Sequence, residues 1–215
     1  SQFSRKVAGG LMWNSLTFGF SKLFVLVTTS ILARLLTKEE FGQVAVAVVA
    51  INYLAVIKDL GLGVALIQRR GDVDNAANTV FTINTMLGFF ISALVIPLAP
   101  LIADYFHDPG VVPVLRWLGV SFAINALGSV HMIWLLRDLD YRRKFIPDMG
   151  NTIVKGIASI GLAFAGFGVW AMVNGQIVRT LTSVVLVWTI LPWRPRWMID
   201  KAIAGSVTKV GSSVM

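Results

Sequence analysis

Cysteine is absent from the 215 residues, which excludes disulfides, thiolate metal sites and a cysteine nucleophile. Histidine is scarce: His107 and His131 are well separated, and two lone imidazoles do not make a metal site. Charge is thin as well. Charged residues make up 14% of the chain, against about 25% in an ordinary soluble domain. The one acidic pair with the spacing of a metal-dependent transferase motif, Asp138-Leu139-Asp140, sits in a short basic segment beside Arg137, Arg142 and Arg143, with no further acidic or histidine cluster to support it. Gly61-Leu62-Gly63 and Gly166-Phe167-Gly168 have no strand before them and no Lys-Ser/Thr after them, so neither is a phosphate loop. These absences read as a protein that is not an enzyme and carries no metal or cofactor.

What is present is apolar. Hydrophobic residues make up 56%, mean hydropathy is +0.74, and 7 Trp and 13 Phe add more apolar surface than one compact core could hide. The chain reads as an all-α, polytopic membrane protein. Its net charge of +8 is distributed among apolar runs, so lipid headgroups or an anionic substrate are the expected partners and nucleic acid is not.

A bilayer core needs about 20 apolar helical residues per crossing. Six stretches qualify: 11–33, 41–67, 79–103, 111–136, 146–166 and 168–191. The first is too long for a signal-peptide core and lacks a small-residue cleavage site, so it reads as a span. Thr37-Lys38-Glu39-Glu40 is a capping-box pattern ahead of the second. Asp108-Pro109-Gly110 makes a turn before the fourth, with Pro113 suggesting that the helix restarts there, and Pro97 and Pro100 should kink the outer end of the third. Arg5, Lys6, Arg69, Arg70, Arg137, Arg142, Arg143, Lys144, Arg194, Arg196, Lys201 and Lys209 all fall on one side, and only Arg34 and Lys38 fall on the other. The asymmetry predicts both ends on the cytoplasmic side. All seven Trp lie near span ends, the pattern of an interfacial belt.

Charges within spans cost about 2.5–3.5 kcal/mol each on insertion scales and are functional candidates by default. Lys22, Lys155 and Arg179 fall near the middle of spans one, five and six; Lys58 lies in the cytoplasmic half of span two, and Arg116 near the outer end of span four. The carboxylate expected to face these cations is Asp59, beside Lys58. Snorkelling and helix-to-helix pairing are one account. One acid cannot pair three midplane cations, and the other account is a water-filled cavity with a positive wall that receives an anion. Asn14, Asn52, Asn84, Asn125, Asn151 and Asn174 place an amide in every span, for interhelical hydrogen bonds or for sugar hydroxyls within such a cavity.

Several runs then point to a family. Ile31 to Gly42 (ILARLLTKEEFG) and Asp59 to Arg69 (DLGLGVALIQR) are followed by Asn125 to Ser129 (NALGS), Arg137 to Arg143 (RDLDYRR), Gly166 to Ala171 (GFGVWA) and Pro192 to Arg196 (PWRPR). In order and spacing these resemble the N-terminal half of the lipid-linked oligosaccharide flippases, the polysaccharide-transporter branch of the multidrug/oligosaccharidyl-lipid/polysaccharide exporter superfamily. The resemblance implies a six-helix lobe, one of two arranged in a V around a central cavity. It implies alternating-access flipping of an undecaprenyl-diphosphate-linked glycan from the cytoplasmic to the periplasmic leaflet of a bacterial inner membrane, for surface or exopolysaccharide synthesis. Lys22, Lys58, Lys155, Arg179 and Arg116 would then contact the substrate, and Asp59 would serve in charge pairing or ion coupling. The coupling ion is left open. A drug or cation exporter of the same superfamily would need acidic midplane residues, for which only Asp59 speaks, and a membrane glycosyltransferase or polymerase would need a catalytic loop with paired carboxylates. The expected organisation is a six-helix lobe over 1–200 and an amphipathic connector with the start of a seventh helix over 201–215, with a second six-helix lobe completing the transporter.

Overall fold

The computed structural model describes residues 2–58, 63, 66, 67, 72–137 and 141–200. Regular structure among these residues is entirely helical: α1 (Gln2–Leu35), α2 (Lys38–Lys58), α3 (Val73–Phe106), α4 (Val111–Arg137), α5 (Tyr141–Phe164) and α6 (Val169–Ile190). A helix satisfies its own backbone hydrogen bonds, which is what the interior of a bilayer demands. Five helices, α1 to α4 and α6, are long and apolar enough to cross a membrane. The sixth, α5, has 24 residues and is long enough. Its apolarity is diluted by a stripe of Lys144, Asp148, Asn151, Thr152, Lys155 and Ser159, spaced three and four apart and therefore on one face. The chain is a multi-pass helical membrane bundle, and large apolar side chains such as Leu23, Leu26, Phe89 and Phe90 are exposed on its outside.

Local signals set the ends. The Thr37 amide donates to Glu40 Oε2 at 2.7 Å and the Glu40 amide donates to Thr37 Oγ1 at 3.2 Å, a reciprocal capping box that starts α2. Asp72 caps α3 by accepting from the Asn75 amide, so this helix begins six residues before the expected span. His107, at φ 56°, closes α3 in the left-handed conformation, and the Asp108 carboxylate accepts from the Gly110 amide at 2.9 Å. Pro113 lies in the first turn of α4, where a missing N–H costs nothing, and the helix runs on through it. The inter-helix turns at this end meet: Gln43 donates to Asp108, and the Gly168 backbone lies against the Glu40 carboxylate. Residues 59–62, 64 and 65 of the expected span 41–67, and all of 201–215, lie outside the described residues.

Interhelical packing uses small residues, as in other membrane bundles. A methyl on Gly88 would lie 2.6 Å from Ala126 Cβ and 2.8 Å from the Phe122 carbonyl, so α3 and α4 meet almost backbone to backbone. α5 packs on α6 and on α1, whereas α2 packs on α4. The hairpin neighbours α1 and α2 therefore stand apart over much of their length.

After α6, residues 191–200 are extended and strap the bundle. The amides of Arg196, Met198 and Asp200 donate to Asn78 Oδ1, Thr82 Oγ1 and Thr79 Oγ1 at 2.8, 3.1 and 3.2 Å. Each threonine hydroxyl in turn donates to a carbonyl one turn back in α3, at 2.9 Å. The tryptophans at this end are not simply a belt facing lipid. Trp188 stacks on His131 with centroids 4.8 Å apart, Trp193 meets the same imidazole edge-on at 5.2 Å, and Trp134 lies 6.3 Å from Trp193. His131 is fully buried, and its Nε2 lies 3.2 Å from the Trp193 carbonyl. Trp197, by contrast, is 68% exposed although its ring meets Phe81 edge-on.

Candidate functional site

Three of the predicted cations converge. Lys22 on α1, Lys155 on α5 and Arg179 on α6 line one cavity of about 330 Å³ between these helices. Asn151 and Thr152 of the polar stripe on α5 complete its wall, and Phe18 forms part of the α1 side. Lys22 is exposed and lies over the Phe18 ring at 5.3 Å, while Lys155 is partly buried and Arg179 exposed. None of the three forms an ion pair with a carboxylate among the described residues. Like charges on a shared wall repel one another, so an anion entering the cavity relieves that repulsion in addition to its own attraction.

The same cavity corrects the count of acids within the spans. Asp148 lies inside the expected fifth span and lines the cavity, so Asp59 is not the sole carboxylate. Asp148 pairs with Lys144 one turn earlier on α5 at 2.5 Å. Its charge is thereby offset locally, and the cavity keeps its positive balance. Asp148 is the member that sequence reasoning missed; helical spacing of three and then four residues back from Lys155 through Thr152 would have found it.

The other predicted positions go elsewhere or lie beyond description. The Lys58 side chain and Asp59 are outside the described residues, as are Asp138 and Asp140. Arg116 does not line the cavity. Its Nε donates to the Ile96 carbonyl at 3.3 Å. Ile96 is four residues before Pro100, whose ring nitrogen has no hydrogen to return, so Arg116 satisfies an acceptor that the proline strands inside α3. Arg116→Leu should therefore destabilise the full-length protein by about 1–3 kcal/mol. In the Pro100→Ala background the penalty should shrink, because the substituted residue regains an amide hydrogen and restores the helical bond to Ile96. Thermal unfolding of the two single variants and the double variant in detergent measures this, and strict additivity would contradict it.

The asparagines do not share one environment. Asn84 donates to Ser129 at 2.6 Å between α3 and α4, and Asn174 accepts from the Trp117 indole at 3.0 Å between α6 and α4. Asn151 is buried on the cavity wall. Asn52 and Asn125 are exposed, and the Asn14 side chain lies outside the described residues.

Close backbone approach holds the helices that carry the cations together. The Gly175 Cα faces Ser159 so closely that a methyl there would overlap its hydroxyl, which draws α6 onto α5 one turn from Arg179. Gly156 does the same for α1, whose Phe24 and Thr28 occupy the space of an absent methyl.

A second, mostly apolar cavity of about 280 Å³ adjoins the first, between α1 and α2 and against α5 and α6, with Leu118 of α4 at its edge, and shares Val25, Thr152 and Lys155 with it. It extends toward the α1–α2 turn, where Leu32 and Phe41 line it.

Among known proteins the chain is similar to the succinoglycan biosynthesis transport protein ExoT of Rhizobium meliloti, with 26% identity over 92% of this chain and 39% of that protein. It is 24% identical to the teichuronic acid biosynthesis protein TuaB of Bacillus subtilis, over 92% of this chain and 41% of the relative. It is also 24% identical to the lipopolysaccharide biosynthesis protein WzxC of Escherichia coli, over 64% of this chain and 28% of that protein. The chain thus spans about two fifths of the length of the first two relatives. No solved structure matches it significantly. The family model for polysaccharide biosynthesis proteins matches residues 31–215, and with that match over most of its length the chain belongs to the polysaccharide biosynthesis protein family.

Proposed function

We propose that this chain forms one cation-lined lobe of a transporter that moves a polyprenyl-diphosphate-linked glycan from the cytoplasmic to the periplasmic leaflet of a bacterial inner membrane. The observation that carries the proposal is the convergence of Lys22, Lys155 and Arg179 on one cavity in an otherwise apolar bundle. Each of these charges is costly to insert, and a diphosphate is the kind of ligand that makes their grouping useful. The relatives' names support a role in export of surface polysaccharide, as transport or biosynthesis proteins for succinoglycan, teichuronic acid and lipopolysaccharide. A second lobe would cover the positive face and expose it alternately to the two sides, as in repeat-built transporters. Lys58 and Asp59 enter the proposal as a further substrate contact and a charge-pairing or coupling group.

The test uses the full-length protein reconstituted in vesicles with a fluorescent polyprenyl-diphosphate disaccharide. Faster loss of signal to a membrane-impermeant quencher than in protein-free vesicles is the expected result; equal rates would overturn the proposal. Orientation has its own check. With no native cysteine in this chain, a cysteine at Asp140 should react with an impermeant maleimide only after the cytoplasmic side is opened. Labelling of intact cells or spheroplasts at Asp140→Cys would reverse the topology.

A further inference from the structure

We infer that the apolar cavity between α1 and α2 holds the first stretch of the hydrocarbon chain of the same lipid whose diphosphate occupies the cationic cavity. The inference rests on the transport reading above and adds a site for the part of the substrate that the charges do not address. Three features carry it. The two cavities share one wall at Val25, Thr152 and Lys155, so an amphiphile can place its anionic head against the Lys155 ammonium and its chain directly beyond. The apolar cavity lies where α1 and α2 stand apart, and Val25 and Val48 on its walls are 48% and 37% exposed, so a chain can leave it sideways into the bilayer. Its direction also fits. Lys22 and Leu32 are ten residues apart on α1, so the apolar cavity extends to about 15 Å from Lys22 toward the α1–α2 turn. The opposite end of the bundle carries Arg137, Arg143, Lys144, Arg194 and Arg196. A lipid standing in the leaflet at that cation-rich end has its head toward those charges and its chain pointing away from them, which is how the two cavities are arranged. At about 280 Å³ the cavity lies near the lower edge of the roughly 300–1,000 Å³ usual for ligand pockets, so it takes only the head-proximal part of a long chain.

The test is photolabelling of the full-length protein in phosphatidylcholine nanodiscs with a geranylgeranyl diphosphate that carries a diazirine in its head-proximal half. Label should map to peptides containing Phe24, Val48 and Leu118. Ala45→Trp, which fills the cavity, should reduce the affinity advantage of geranylgeranyl diphosphate over inorganic pyrophosphate by about tenfold or more. The wild-type label map stands even if that variant fails to fold. Label confined to outward residues such as Tyr53, Phe89 and Phe90, while inorganic pyrophosphate still binds in a Lys155-dependent way, would overturn the chain site and leave the transport reading intact. Equal displacement of the label by phosphatidylglycerol would overturn it too, by making the cavity a general lipid site. Failure of inorganic pyrophosphate and geranylgeranyl diphosphate alike to bind would overturn the transport reading and this inference with it.

Discussion

Alanine at both Lys155 and Arg179 should weaken binding of inorganic pyrophosphate to the full-length protein by roughly 100-fold or more, on the scale of two lost charge-assisted contacts. The two side chains come from adjacent helices and line the same cavity, so each alanine removes a donor that the other cannot replace in position. Lys155 should contribute more per group, because it is the more buried of the two and competes less with bulk solvent. Arg179→Lys should lose less than Arg179→Ala, since it keeps the charge and gives up only the planar fork that holds two phosphate oxygens. Lys22→Ala should have the mildest effect; its ammonium is exposed and already rests over Phe18. Binding measured by calorimetry at wild-type protein level decides the matter, and unchanged affinity in the double variant would remove the anion-binding role of the cavity.

A second large effect is expected from Gly175→Ile. The Cβ alone would overlap the Ser159 hydroxyl and sit 3.3 Å from the Lys155 carbonyl, so α6 must move off α5. Overpacking of this kind costs about 1–3 kcal/mol where neighbours can adjust, and here part of the obstacle is backbone. Arg179 is one turn further along the same face and must move with the helix. The variant should therefore melt several degrees lower and also bind inorganic pyrophosphate more weakly, although residue 175 carries no charge to lose. Gly161→Ile, where nothing lies within 4 Å of the added carbon, is the comparison and should show neither change.

The legible parts of this molecule are those written locally. The capping box needs only residues three apart, and the helices follow from runs long enough to cross a bilayer, so both can be read directly. The grouping of Lys22, Lys155 and Arg179 follows from charge at similar depth, and the structure places these three together. Depth alone does not say where Arg116 goes, because its partner is a carbonyl on another helix that Pro100 leaves without a donor. Asp148 is within reach, since it lies on the stripe that contains Lys155, but counting charges without projecting them on the helix face passes over it. The strap is not legible. Pro192 and Pro195 announce an extended segment, yet its acceptors Asn78, Thr79 and Thr82 lie more than a hundred residues earlier and look like ordinary polar residues of a span.

The strap also alters where force enters the bundle. α6 ends at Ile190, and a chain leaving there freely would pull along the axis of α6 alone. Because Arg196, Met198 and Asp200 are tied through their amides to side chains of α3, tension applied at residue 201 is delivered first to α3, and only through the bonded segment to α6. Of the three ties, the one at Asp200 is nearest that point in the chain, with those at Met198 and Arg196 behind it. Since the donors are backbone amides, the side chains at 196, 198 and 200 can change without altering that mechanical path, provided none becomes proline. The route is set instead by Asn78, Thr79 and Thr82, three small polar residues that turn one end of α3 into an anchor.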